Sequence, residues 1–130
     1  MTYSRLQNAM LLIARLIIAA IFIYAGYAKF ALWNAPPSVI PAPMLLLMRF
    51  LAFAEPLGGI ALVAGFLTRT ASICLSIIMV GAIGMLIQAG FAPATGAIGW
   101  SYPLAVLAGC LLLSAFGAGD WSVEGMRKSR

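Results

Sequence analysis

Charged side chains are scarce in this sequence, and their scarcity excludes a soluble globular domain. Asp, Glu, Lys and Arg make up 8% of the 130 residues, whereas soluble domains carry about 25%. Hydrophobic residues account for 64%, and the mean hydropathy is +1.06. Apolar sequence extends almost without interruption from Met10 to Ala118, so we expect residues 1–130 to form a single transmembrane domain in contact with the lipid bilayer.

Histidine is absent, and the two cysteines, Cys74 and Cys110, lie singly within apolar segments. This composition excludes the paired-cysteine spacing of a thiol redox centre and the usual zinc and haem ligands. We therefore expect no metal site and no cofactor bound covalently or through metal ligands. Redox chemistry would then require a diffusible carrier, such as a quinone, or a partner protein.

Acidic residues are also few, with three Asp and Glu against eight Lys and Arg, which gives a net charge of +5. Nucleic-acid binding requires a solvated basic face, whereas these cations are scattered among apolar runs, so we expect no nucleic-acid partner. An excess of cations at one side of a membrane marks the cytoplasm. This rule predicts cytoplasmic N- and C-termini in the plasma or inner membrane, because most cations fall on one side of the predicted topology, namely Arg5, Arg69, Arg127, Lys128 and Arg130.

Four apolar segments have lengths suited to a membrane helix, which needs about 20 residues to cross the hydrocarbon core. They predict an all-α antiparallel bundle of four transmembrane helices, at about 10–32, 44–67, 71–89 and 100–116. Prolines define a first loop at 34–43, and a Pro- and Gly-containing loop is predicted at 90–99. The first segment is too long for the apolar region of a signal peptide, and Asp120 is predicted to cap a short turn after the last span.

The first helix carries two cations on one face. Arg15, Gly26 and Lys29 belong to a stripe with helical spacing that also contains small residues. Small residues permit close helix contact in lipid, so we expect this stripe to face the bundle interior. Alternatively, both cations extend towards their nearest membrane interface.

The second helix carries a carboxylate near its middle. Glu55 in that position requires neutralisation, pairing or hydration. Arg49 lies six residues earlier and is poorly placed for a salt bridge within one helix, so Arg15 is the predicted partner. Pro56 removes an intrahelical hydrogen bond and frees the carbonyl of Ala52. Such interruptions occur at intramembrane ligand sites, although a purely structural buried ion pair is the alternative.

The ordered pieces Arg15–Gly26 with Lys29, Glu55-Pro-Leu-Gly-Gly59, Gly65-Phe-Leu-Thr-Arg69 and Trp121-Ser-Val-Glu124 resemble the DoxX family of small four-helix membrane proteins. The resemblance covers nearly the whole chain, with Pro56 as a departure from the family pattern. It implies a membrane subunit linked to redox complexes, including quinone-coupled ones. The positions that match the family motif are Arg15, Gly26, Lys29, Glu55, Gly58, Gly59 and Arg69.

These observations lead to one leading hypothesis and two alternatives. The first is an integral membrane subunit of a redox-linked, quinone-linked complex that is not an enzyme on its own and has a polar intramembrane seam around Arg15, Lys29, Arg49, Glu55 and Pro56. Its partners would be an oxidoreductase, another membrane protein or a second copy of the chain. The alternatives are a membrane assembly or chaperone factor and an ion or small-molecule carrier.

Overall fold

The computed structural model describes residues 2–90 and 99–130, and all regular structure within these ranges is helical. Its helices are α1 (Arg5–Phe30), α2 (Ala42–Ala64), α3 (Thr68–Gln88), α4 (Ser101–Phe116) and the short α5 (Val123–Lys128). The first three are long and apolar enough to cross a membrane, and α4 is a shorter apolar helix. The predicted all-α antiparallel four-helix membrane bundle is confirmed, while most of the predicted loop at 90–99 lies outside the described residues.

Helix α1 begins five residues before the predicted span. Ser4 caps it, because the Ser4 hydroxyl accepts a hydrogen bond from the Gln7 amide and the Gln7 side chain accepts one from the Ser4 amide. This reciprocal arrangement satisfies two amide groups that would otherwise lack partners. Helix α2 begins just after Pro41, with a proline in its first turn, where the missing N–H costs nothing.

The turn between α2 and α3 lies three residues earlier than predicted, at 65–67, and α3 begins at Thr68 rather than near Ala71. Gly65 and Leu67 both adopt left-handed backbone conformations, with φ of 66° and 49°. Gly65 ends α2, and the Phe66 amide donates back to the carbonyl of Ala61. Two left-handed residues so close together reverse the chain within a few positions, which makes α2 and α3 antiparallel.

The most extensive helix contacts join α1 to α2 and α3 to α4, with fewer contacts between α2 and α3. The buried core between the helices contains Ile18, Ala19, Phe22, Leu62, Leu75, Val106, Cys110 and Leu113. Many large apolar side chains outside it are exposed, among them Leu46 at 69% and Ile77 at 67%. An outward-facing apolar surface of this extent is suited to lipid rather than to water.

The bundle has two ends that differ in composition. The loop end is where α1 and α3 finish and α2 and α4 begin; the tail end is where α1 and α3 begin and the C-terminal segment follows α4. At the tail end, Ser122 caps α5 by accepting a hydrogen bond from the Gly125 amide. The predicted capping role of Asp120 is therefore wrong: its carboxylate accepts a hydrogen bond from Asn8 of α1 instead.

Candidate functional site

Lys29 and Glu55 form an ion pair between α1 and α2. The Lys29 Nζ atom lies 2.6 Å from Glu55 Oε2, and the Glu55 side chain is 3% exposed. The prediction that Arg15 would pair with Glu55 is wrong. Arg15 lies level with Leu62 of α2, seven residues beyond Glu55, a distance of about 10 Å along a helix at 1.5 Å per residue.

The Lys29 side chain turns back along α1 instead of extending away from the bundle. Its Nζ atom also donates to the carbonyl of Ala25 at 3.4 Å, one helical turn earlier. Side chains of a helix tilt towards its N-terminus, so this direction brings the ammonium to the depth of Glu55. The alternative in which Lys29 extends to the nearest interface does not describe this structure.

Arg15 is 1% exposed and binds backbone carbonyls rather than an acid. Its Nε and Nη2 atoms donate to Leu62 and Val63 at the end of α2, at 2.9 and 3.2 Å. Its Nη1 atom donates to Ala118 and Trp121 in the C-terminal segment, at 2.5 and 3.0 Å. The last carbonyls of a helix lack intrahelical partners, so this guanidinium ties the end of α2 to the segment that follows α4.

Gly26 allows Pro56 of α2 to pack closely against α1. A Cβ atom at Gly26 would lie 2.2 Å from Pro56 Cγ and 3.1 Å from the carbonyl oxygen of Ala52. The latter is the carbonyl that Pro56 leaves without its usual helical donor, and α2 remains one continuous helix through this point. Gly26 therefore makes room for the proline ring one turn from Lys29.

Arg49 lies apart from the ion pair. Its Nε and Nη2 atoms donate to the carbonyl of Trp33 at 3.1 and 2.7 Å, and its guanidinium stands over the Trp33 ring at 5.3 Å from the centroid. Phe30 and Phe53 pack against the same indole. Arg49 thus anchors the start of the α1–α2 loop, and the predicted seam divides into three separate places.

Three other motif residues serve packing away from the ion pair. A Cβ atom at Gly58 would meet Leu75 of α3 at 2.9 Å, and one at Gly59 would meet Ile23 of α1 at 2.8 Å. Arg69 lies at the tail end and packs beside Gly117, where an added Cβ atom would lie 3.2 Å from the Arg69 Nε atom. These glycines permit close helix approach.

A cavity of about 750 Å³ opens beside the ion pair, towards the loop end of the bundle. The lining residues with polar side-chain groups are Lys29, Glu55, Tyr24 and Tyr102. The rest of the wall is almost entirely apolar and comes from all four long helices, including Phe22, Met44, Met48, Leu51, Met79, Met85 and Pro103. An apolar cavity of this size with few polar groups is typical of a small-molecule site. It would suit a flat or elongated apolar ligand with one polar end.

No group of three or more His, Cys, Asp or Glu side chains gathers at this cavity or elsewhere in residues 2–90 and 99–130. The polar groups beside the cavity are one ammonium, one carboxylate and two phenols. Such groups exchange hydrogen bonds with a ligand that carries acceptor and donor oxygens.

Sequence reasoning missed two polar contacts at the tail end and the lining of the cavity. Glu124 Oε1 accepts from the Thr68 amide at 3.1 Å, and the Asn8 side chain accepts from the Asp120 amide at 2.7 Å. Both contacts join positions far apart in the chain, and nothing in the local pattern signals them. The spacing of Met44 and Met48, one helical turn apart, was an available but weak signal for an adaptable apolar wall.

Comparison with known proteins places the chain in a family. The chain is 28% identical over 126 residues to the inner membrane protein YqjF of Escherichia coli (strain K12), and this match covers 93% of the chain and 94% of YqjF. No solved structure matches. The DoxX family profile matches residues 10–88, more than half of the chain. The expected resemblance is therefore confirmed, and with its apolar helices this chain is an integral inner- or plasma-membrane protein that belongs to the DoxX family.

Proposed function

We propose that this protein is the membrane subunit of a quinone-linked redox complex and that its cavity binds the quinone head group beside Lys29 and Glu55. The observation that carries the proposal is a buried ion pair in the wall of an apolar cavity of about 750 Å³. Charged groups within a membrane are costly and generally mark functional positions.

The hydrogen-bonding capacity of the pair supports this assignment. A lysine ammonium has three N–H groups, and two of them are directed to Glu55 and to the carbonyl of Ala25. The third is available to a quinone carbonyl, while the Glu55 carboxylate can accept from a hydroxyl of the reduced form. A bound quinone would supply reversible uptake of electrons and protons.

The cavity wall suits the remainder of such a ligand. Aromatic and methionine side chains, such as Phe50 and Met48, can contact a flat ring without requiring polar partners. The chain contains no histidine, and its candidate site offers no electron donor of its own. Electrons would come from a partner oxidoreductase bound to the membrane subunit.

The distribution of cations supports an orientation with the tail end in the cytoplasm. Arg5, Arg69, Arg127, Lys128 and Arg130 lie at or beyond that end, and the positive-inside rule favours this arrangement. The cavity would then face the outer half of the membrane. Reporter domains fused to the C-terminus, one active only in the cytoplasm and one only outside it, test this orientation.

Equilibrium binding of a tailless benzoquinone to the full chain in lipid nanodiscs tests the head-group site. We expect saturable binding to the native protein and a loss of binding in Lys29→Met and Glu55→Gln. Arg49→Met is the matched control, because it removes a cation that binds Trp33 outside the cavity. Binding that is absent from the native protein, or unaffected by all three substitutions, would contradict the proposal.

A further inference from the structure

A second depression continues from the cavity along the lipid-facing side of the bundle. This groove of about 660 Å³ lies between α2 and α3 and is lined by residues of 50–58 and 71–78. Phe50, Ile77 and Ile78 line both the groove and the cavity. The two spaces are therefore adjacent. The groove lies between α2 and α3, whose contact is less extensive than that of α1 with α2 or of α3 with α4.

We infer that this groove holds the apolar tail of the ligand whose head group lies beside Lys29 and Glu55, so that the ligand enters sideways from the bilayer between α2 and α3. The inference rests on the proposed function and adds the ligand class: a membrane lipid with one long apolar tail and a hydrogen-bonding head. A water-soluble quinone would occupy only the cavity.

The lining of the groove fits an alkyl or isoprenoid chain. Its walls are apolar, and Phe53 and Leu57 are exposed at 54% and 66% on the side that faces lipid. Ala54 adds little bulk to the wall, and Leu75, packed against Gly58, forms part of the floor. From Ile78 to Ala71 the groove follows α3 for about 10 Å at 1.5 Å per residue, leading from the cavity towards the tail end.

The position of the polar groups explains why the tail would leave the cavity in this direction. Lys29 and Glu55 provide charge at one place on the wall, and the groove beyond Phe50 and Ile77 offers only apolar side chains and the thiol of Cys74. A ligand with a polar head and an apolar tail matches both the charged part of the cavity wall and the apolar groove. A fully polar ligand matches only the charged part of the wall.

Photolabelling of the full chain in proteoliposomes tests the inference. The probe is a benzoquinone with one alkyl tail that ends in a diazirine, and the labelled residues are mapped by mass spectrometry with and without an excess of the same quinone lacking the diazirine. We expect competable labels within 50–58 and 71–78. Cys74→Trp fills the groove and should abolish them, whereas Ile73→Trp, on an exposed neighbour outside the groove, should retain them.

Two failures of this experiment have different meanings. Competable labels confined to α1 or α4, or none at all while the tailless quinone still binds, would overturn the tail path and leave the head-group site standing. If the tailless quinone does not bind either, the proposed function fails and this inference fails with it. Mapping on the native chain remains decisive even if a tryptophan variant does not fold.

Discussion

Lys29 and Glu55 neutralise each other across the α1–α2 contact, with Nζ and Oε2 2.6 Å apart. The two side chains are not equally covered, since Glu55 is 3% exposed and Lys29 is 21% exposed. The carboxylate is thus held inside the bundle, while the ammonium meets both the carboxylate and the cavity. In the proposed quinone site, Lys29 would therefore meet the head group first, while Glu55 holds the ammonium in place and is reached only at the cavity wall.

Removal of one member of the pair should destabilise the protein more than removal of both. Lys29→Met leaves a buried carboxylate without a counter-ion, and losing one partner of a buried ion pair costs about 3–5 kcal/mol. The double substitution Lys29→Met/Glu55→Met should recover most of that loss. The free energy of unfolding in mixed micelles, measured for both single variants and the double variant, checks this expectation. Strictly additive losses would contradict a direct pair.

Gly26→Ala should destabilise the α1–α2 contact. Its Cβ atom would lie 2.2 Å from Pro56 Cγ, and overpacking of this kind typically costs about 1–3 kcal/mol. Pro56→Ala should relieve the clash in the double variant. Gly84→Ala is the control, because no atom of the described chain lies within 4 Å of its Cβ position apart from its chain neighbours and the nearby backbone of its own helix. Equal thermal stability of Gly26→Ala and Gly84→Ala would show that the close contact is not important.

The sequence predicts the helices and identifies the charged residues within them, but it does not predict which charged residues pair. Composition and segment length predict the helices because lipid imposes a simple length and polarity requirement. The partner of Glu55 depends on the relative shift of α1 and α2, and in the observed arrangement Gly26 is in close contact with Pro56. That contact is invisible in either helix alone, so depth estimates from span boundaries paired Glu55 with Arg15 instead of Lys29.

The cavity was also beyond sequence reasoning, for a related reason. Its wall combines side chains from four helices, and whether Met48 and Met79 face the same space depends on the rotation of each helix. Hydrophobic periodicity reports that rotation poorly when helices are apolar on every side. The sequence did single out Glu55, which lines the cavity, because a carboxylate within a membrane-spanning segment is costly and therefore rare.

Arg15→Lys should loosen the C-terminal segment. A lysine keeps the charge but lacks the planar guanidinium group. In Arg15 this group donates to a carbonyl of α2 and to the carbonyls of Ala118 and Trp121 in the C-terminal segment. Hydrogen bonds to charged groups contribute roughly 1.5–3 kcal/mol each, so the loss of one or two should be measurable. Limited proteolysis should cleave the tail faster than in the native protein or in the exposed-site control Arg5→Lys. Unchanged cleavage would contradict this role.

Glu124→Ala should destabilise the start of α3. Leu67 occupies the cap position of α3, and its side chain cannot accept a hydrogen bond from the helix. The Glu124 carboxylate caps the helix instead by accepting a hydrogen bond from the Thr68 amide. Loss of a helix cap costs about 1 kcal/mol. Amide hydrogen exchange at the first turn of α3 should accelerate in Glu124→Ala and remain nearly native in Glu124→Gln, which retains an acceptor oxygen. Equal exchange in all three proteins would rule out a capping role.

The most direct test of the quinone site is the quinone content of the full chain purified in mild detergent from its native membranes. We expect stoichiometric quinone in the native protein, almost none in Lys29→Met, and native content in the control Arg49→Met. Quinone that is absent from the native protein, or equally abundant in Lys29→Met, would contradict the claim that the cavity beside Lys29 and Glu55 binds it.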